Sequence, residues 1–307
     1  MSSNTRAWLP AFLVCALAWG SSFLFIHVAL ESFTPSEVAF GRVAVGAVIL
    51  GGMLLVMRHR PRFTRREIGS VAVVALALSV VPFVLIPIAQ QHITSILASL
   101  LNATTPLWTA LFVALMIPTE KASKIQVAGL VLGAFGIFVL LGAWNVDELP
   151  LLGAVLMLAA TAFYGFGSTL SRTFLGSVKE SATGLSAAQM VLSALMLAPL
   201  AAATAPAQRA PIHGPAVWAL LALGLFGTSF AYALFYRVVR VAGATTAASV
   251  TYVVPIVATF LGILVLKEEL TWYEPVGAVI VLAGVWLAQR KRKVIEAEVA
   301  AGSPTSN

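Results

Sequence analysis

Residues 247–289 read AASVTYVVPIVATFLGILVLKEELTWYEPVGAVIVLAGVWLAQ, and an earlier stretch, residues 98–141, echoes them: ASLLNATTPLWTALFVALMIPTEKASKIQVAGLVLGAFGIFVLL. Pro106 answers to Pro255, Glu120 to Glu268, Gly129 to Gly277 and Gly136 to Gly284. The glutamate and glycine pairs share one offset (268−120, 277−129 and 284−136 all give 148), and the prolines differ by 149. Each stretch is an apolar helix with a proline, a charged turn, then a second apolar helix with glycines two turns apart. The chain is built twice.

The 307 residues are 60% hydrophobic and only 10% charged, with a mean hydropathy of +0.95. Soluble domains carry about 25% charged residues, so a chain this apolar needs lipid as its solvent. The single cysteine, Cys15, lies in an apolar run and reads as an inert packing residue. A net charge of +7 raises the question of nucleic acid, but the basic residues sit in short connectors, where lipid headgroups meet them. Membrane lipid is the partner this pattern implies, and nucleic acid is not.

Ten runs are long enough to cross a bilayer, which takes roughly 20 mostly apolar residues: 8–28, 36–57, 69–89, 93–117, 124–144, 150–172, 183–204, 215–237, 246–266 and 272–289. The run after Arg6 exceeds a signal-peptide core of roughly 7–15 residues and reads as a retained first helix. The first repeat covers 8–144 and the second 150–289, within a single transmembrane domain. Residues 290–307 read as a basic, disordered cytoplasmic tail.

With the N-terminus placed in the cytoplasm, the inside connectors hold 16 of the 19 Lys and Arg, the outside ones hold Arg209 and Lys267, and Arg42 stays within a span. That bias puts both termini in the cytoplasm and fits an inner, plasma-membrane location. Dropping or adding one span would scatter the arginines over both faces, so ten is the count. Five helices per copy is odd, and the second copy therefore lies inverted. The expected fold is an all-α membrane protein of two inverted five-helix repeats, a plan under which substrate binds near the midplane and access alternates.

With both halves in view, the chain resembles the EamA-type exporters of the drug/metabolite transporter superfamily over residues 8 to 290. In the first copy the resemblance rests on Trp19-Gly20-Ser21-Ser22-Phe23, Arg42, Asn102 through Leu107, Glu120 and Gly129. In the second it rests on Gly227-Thr228, Tyr232, Gly243-Ala244, Pro255, Leu266 through Glu268, Leu270-Thr271, Gly277 and Gly284. The family usually places Gly before each glutamate, where Thr119 and Lys267 stand here. The resemblance implies export of amino acids, related metabolites or drugs.

Arg42 is the only formal charge well inside a span. Two readings stand side by side: an arginine near a helix end snorkelling to headgroups, or a cationic anchor for a substrate carboxylate. Its counterpart in the second copy is Gln189, polar but uncharged. All 12 Asp and Glu fall at helix ends, in connectors or in the tail. Without an intramembrane carboxylate, permanently cationic cargo is disfavoured, and zwitterionic, neutral or anionic metabolites fit better.

Aromatic and small polar residues are the expected cavity lining: Trp19, Ser21 and Ser22 in the first span, Asn102, Thr105 and Trp108 in the fourth, Tyr164 as the counterpart of Trp19, Tyr232 in the eighth, Thr251 and Tyr252 in the ninth. Interfacial belts account for Trp and Tyr near span ends, but Trp19, Asn102 and Trp108 sit deeper. Candidate gating or coupling residues are His27 and His92 for protons, Pro106 and Pro255 as repeated kinks, and Glu120 and Glu268. Both glutamates are most simply read as helix-cap or turn residues near helix N-termini, with the gate role as the alternative. Gly129, Gly133 and Gly136 form a small-residue face for close packing, between the halves or between protomers of a homodimer.

Catalysis finds little support. Ser168 follows two glycines, yet its helix has no His or Asp to activate it. The four histidines keep no metal-ligand spacing, and no phosphate loop is present, so neither metal nor cofactor is implied. The sequence leaves a passive channel, and less readily an exporter of drug-like compounds, beside the metabolite exporter.

Overall fold

The computed structural model describes residues 8–118, 120, 122–145, 149–207 and 211–301. Thr119 and three of the basic residues that set the charge bias, Arg6, Lys121 and Arg209, lie outside them. Among the described residues every regular element is helical. In chain order these are α1 (Leu9–Leu30), α2 (Pro35–Val56), α3 (Arg65–Gln90), α4 (Ser95–Met116), α5 (Lys124–Leu140), α6 (Leu151–Leu175), α7 (Ala182–Ala203), α8 (Gly214–Phe235), α9 (Val250–Leu266) and α10 (Tyr273–Ala301).

The starts are written locally. Thr34 with Glu37, Thr64 with Glu67 and Ser123 with Gln126 form reciprocal capping boxes before α2, α3 and α5, each satisfying two backbone donors that a helix start leaves orphaned. Ser181 caps α7. Interruptions follow the prolines and glycines. α4 breaks at Ala103–Thr104, so that Pro106 sits in the first turn of its second segment, Thr105–Met116, whereas Pro255 stays inside a continuous helix. The helix of α8 runs on as Ala231–Ala248 through a kink at Gly243, whose φ of 85° suits a residue without Cβ. α3 and α8 each contain a wide π-turn, Leu76–Val80 and Leu225–Phe230, and α9 ends in a third, Gly262–Leu266.

Seven of these helices, α1–α4 and α6–α8, are long and apolar enough to cross a membrane. The other three runs expected to span return as shorter apolar helices: α5, α9, and α10 from Tyr273 to Gln289. At 17 residues α5 lies at the low end of spanning length. Side chains such as Leu55 and Val56, 80% and 85% exposed, point outward, which only a hydrocarbon surround makes favourable. α10 runs on as a helix to Ala301, into the tail expected from residue 290. The segment RKRKVIEAEVAA consists mainly of good helix formers and prolongs a helix already nucleated.

α5 and α10 pack backbone to backbone. A Cβ added to Gly129 would lie 2.5 Å from the Ala288 nitrogen, one at Gly284 equally close to the Gly133 nitrogen, and one at Gly277 would collide with the Leu140 backbone. The glycine face therefore joins one repeat to the other within this chain.

Candidate functional site

α1, α2, α3, α4, α6, α8 and α9 surround a cavity of about 180 Å³. α1 contributes Trp19, Ser22, Phe23 and Ile26; α2 contributes Arg42, and α3 Phe83 and Ile86. Asn102 and Thr105 come from α4, Tyr164 from α6, Tyr232 from α8, and Thr251 and Val254 from α9. Among the described residues no acidic side chain lines it.

Arg42 is 8% exposed, and close packing brings it there: a Cβ at Gly224 would meet Val45 and the Arg42 carbonyl. Its Nε donates to Thr228 Oγ1 at 2.9 Å and its Nη2 to the Gly227 carbonyl at 3.0 Å, both on the π-turn of α8. The guanidinium carbon stands 3.9 Å over the Phe83 ring, a cation–π contact. A guanidinium has five N–H donors, and these two bonds use the fork formed by Nε and Nη2. The ion pairs seen among the described residues, His59–Glu180 and Arg172–Glu120, do not involve Arg42. A buried cation without a counter-ion is costly unless cargo supplies the charge.

The remaining wall is aromatic and sparingly polar. Trp19 packs edge-on against Tyr232, centroids 6.2 Å apart, and tilted against Phe235 at 5.4 Å. Asn102, at the break in α4, accepts from Thr105 through its carbonyl at 2.8 Å, while its side-chain oxygen is buried without a hydrogen-bond partner. Such an acceptor seeks a donor.

Eight of the twelve residues expected to line a cavity thus meet in one: Trp19, Ser22, Arg42, Asn102, Thr105, Tyr164, Tyr232 and Thr251. Four do not. Ser21 turns to a separate apolar groove with Val14, Leu17, Phe25, Phe226 and Leu261. Trp108 packs against Gly165 of α6 with its indole nitrogen buried and unpartnered. Tyr252 donates to Gln289 Oε1 at 3.0 Å, turned toward α10. Gln189 donates to Ser79 Oγ at 2.8 Å on the π-turn of α3. Phe83, the ring beneath Arg42, carries no sequence signal beyond its place after Pro82.

Of the two glutamates read as helix-cap or turn residues, Glu268 meets a helix start and Glu120 an arginine. Ser123 caps α5, and Glu120 pairs with Arg172 of α6. Glu268 instead reaches the start of α4, accepting from Ser95 N at 2.7 Å, Ser95 Oγ at 2.9 Å and Ile96 N at 3.0 Å. A carboxylate there meets the positive end of the helix dipole. Lys267 makes the turn possible with a left-handed φ of 57°, the conformation a glycine favours and the place where the resembled family carries one. His27 lies in the last turn of α1; His92 is exposed beyond α3 and touches Gly153 of α6.

An unexpected clasp joins the connectors after α2 and before α7. His59 Nε2 lies 2.5 Å from Glu180 Oε1, and Arg62 N donates to Glu180 Oε2 at 3.0 Å. Burial works against the carboxylate's charge, but hydrogen bonds from His59, Ser181 and Arg62 prevail and pull its pKa down to about 2.

The sequence profile of the EamA-like transporter family matches this chain twice, at residues 6–142 and 151–289. The chain is 24% identical to the uncharacterized transporter YoaV of Bacillus subtilis, covering 88% of this chain and 92% of that one. It is 28% identical to the uncharacterized inner membrane transporter YedA of Escherichia coli, over 84% and 83% of the two chains. It is 29% identical to an S-adenosylmethionine/S-adenosylhomocysteine transporter of Chlamydia trachomatis, over 83% and 80%. A solved crystal structure superposes with a TM-score of 0.62 at 19% identity, over 94% of this chain and 99% of that one, a likeness of fold. With both halves matched, the chain belongs to the EamA-like transporter family and is a multi-pass membrane transporter.

Proposed function

We propose that this chain is a secondary transporter of the inner membrane that exports small carboxylate-bearing metabolites, amino acids and related compounds among them. The observation that carries the reading is Arg42, a buried guanidinium in an acid-free cavity with donors left over after its bonds to α8. A bidentate carboxylate supplies the missing charge and geometry together. Trp19, Tyr164 and Tyr232 then offer faces to the cargo's apolar or cationic part, and the Asn102 oxygen accepts from an ammonium or hydroxyl. The relative named for S-adenosylmethionine and S-adenosylhomocysteine shares only the amino-acid carboxylate with this class, since S-adenosylmethionine also carries a fixed sulfonium charge that this cavity does not favour.

Movement follows from the duplication. With ten spans and both termini cytoplasmic, the two halves lie inverted, and exchanging their conformations turns an inward-open cavity outward. Glu268 on the start of α4 then closes the outer end, while Glu120–Arg172 ties the cytoplasmic end. Each must release in turn. Pro106, just after the break in α4, and Pro255, inside the continuous helix of α9, are the hinge positions of that exchange.

Counterflow in proteoliposomes tests the proposal. With a panel of amino acids, unlabelled cargo inside is expected to accelerate uptake of labelled cargo, which a passive pore does not do. Absence of trans-stimulation for every carboxylate on the panel refutes the carrier.

A further inference from the structure

The two π-turns are the start of this inference. Leu76–Val80 and Leu225–Phe230 stand one repeat apart, 225−76 being 149. Each holds a buried hydroxyl, Ser79 and Thr228, and each hydroxyl accepts from the second helix of the other half: Gln189 of α7 to Ser79, Arg42 of α2 to Thr228. One polar contact is thus built twice, once neutral and once charged.

The π-turn explains why Thr228 can serve a cation. Its hydroxyl donates to the Leu223 carbonyl five residues back, at 3.2 Å, an acceptor that the five-residue step of a π-turn brings within reach. With its hydrogen so occupied, the oxygen presents only lone pairs toward Arg42. Gly227 offers its carbonyl to Nη2 on the same turn. Together they engage the fork of Nε and Nη2 and fix the guanidinium plane, which leaves the end-on fork of Nη1 and Nη2 for cargo.

We propose that Thr228 is a positioning residue for transport, aiming the Arg42 guanidinium at the substrate carboxylate, and that Gln189–Ser79 is its uncharged counterpart, outside the recognition step. The inference rests on the carboxylate reading of Arg42. It predicts that the Thr228 hydroxyl matters for acids and not for their neutral analogues.

The test is binding of 3-phenylpropionate and its amide to detergent-solubilised protein, read by tryptophan fluorescence, since Trp19 lines the cavity. Thr228→Val is expected to weaken the acid roughly tenfold, the scale of one hydrogen bond to a charged group, and to leave the amide unchanged. Thr228→Ser keeps the hydroxyl and is expected to match wild type, as is Ser79→Ala. Equal weakening of acid and amide by Thr228→Val makes the residue merely structural and overturns the proposal, as does acid binding unchanged by that variant. Arg42→Gln separates the two ideas. If it leaves acid binding unchanged, the carboxylate reading falls and this inference with it; if it abolishes acid binding while Thr228→Val does not, only the role of Thr228 falls. Should Thr228→Val not accumulate in membranes, Thr228→Ala reads the same arm.

Discussion

Each half of the chain sends a donor from its second helix to a hydroxyl on the other half's third helix, and each half turns a glutamate back at the end of its fourth. In both pairs the two copies have diverged. Arg42 meets Thr228 where Gln189 meets Ser79; Glu268 meets a helix start where Glu120 meets an arginine. The neutral, hydroxyl-linked version shows what the duplicated fold needs for packing. The charge is an addition on one side only, and it is the side that opens on the cavity. Function in a duplicated transporter is most readable where the copies disagree.

The largest expected effect breaks that disagreement outright. Arg42→Gln makes the two clasps alike, and transport of carboxylate cargo is expected to fall by about 100-fold, the loss of a bidentate charged contact at roughly 1.4 kcal/mol per tenfold. Neutral analogues are expected to lose little. Adding Gln189→Arg to that variant moves the charge to the other clasp, away from the cavity wall, and is not expected to restore flux. Initial rates of counterflow for an acid and its amide decide it; recovery in the double variant would make the clasps interchangeable.

Next comes the proposed closure by Glu268 at the end placed outside. Glu268→Gln removes the charge that meets the α4 dipole while leaving the side chain in place, and the outer end is expected to open more often. With Cys15→Ser as background, a cysteine at Thr105 is expected to react with an impermeant maleimide from outside several-fold faster in Glu268→Gln, a step of about 1 kcal/mol. Glu120→Gln is expected to give no such increase. Equal rates in both would place Glu268 outside the gate.

How much of this was open to a reader of the sequence follows from range. Arg42, Trp19 and Asn102 stand out because each is polar or large in an apolar run, a contrast carried by single positions. The glycine face of α5 and the capping boxes are likewise local patterns. Phe83, one apolar residue among many, becomes part of the site only when α3 passes Arg42. The His59–Glu180 clasp and the reach of Glu268 to Ser95 join residues more than 100 positions apart, and the π-turns carry no signature of their own. Ser21 and Ser22 make the point at the smallest scale: neighbours in sequence, they line different spaces because a helix turns 100° per residue.

A smaller effect concerns the tie between the halves at the connectors. Glu180→Gln weakens the clasp with His59, Ser181 and Arg62, and is expected to lower the melting temperature by about 2–4 °C at neutral pH. Because the folded carboxylate's pKa is depressed to about 2 from an ordinary 4.5, its contribution is present above pH 4.5 and drains away as pH falls toward 2. Wild type and variant are therefore expected to converge in that acid window. A gap that persists there would assign the effect to packing rather than charge.

The smallest effect sits at Lys267, one residue from Glu268, the proposed latch on α4. A left-handed residue with a Cβ costs roughly 1–2 kcal/mol, and the position is a helix end where glycine is the usual occupant. Lys267→Gly removes that strain but also frees the unfolded chain, returning about half of the gain. A net stabilisation of roughly 0.5–1 kcal/mol is expected, seen as a rise of about 2 °C in thermal unfolding. The maleimide rate at Thr105 is expected to move in the opposite sense from Glu268→Gln, because an unstrained turn holds the carboxylate on α4 more firmly. A glycine that stabilises the protein yet leaves the labelling rate unchanged would mean that the turn and the latch are independent, and that Glu268 is held by α4 rather than by its own loop.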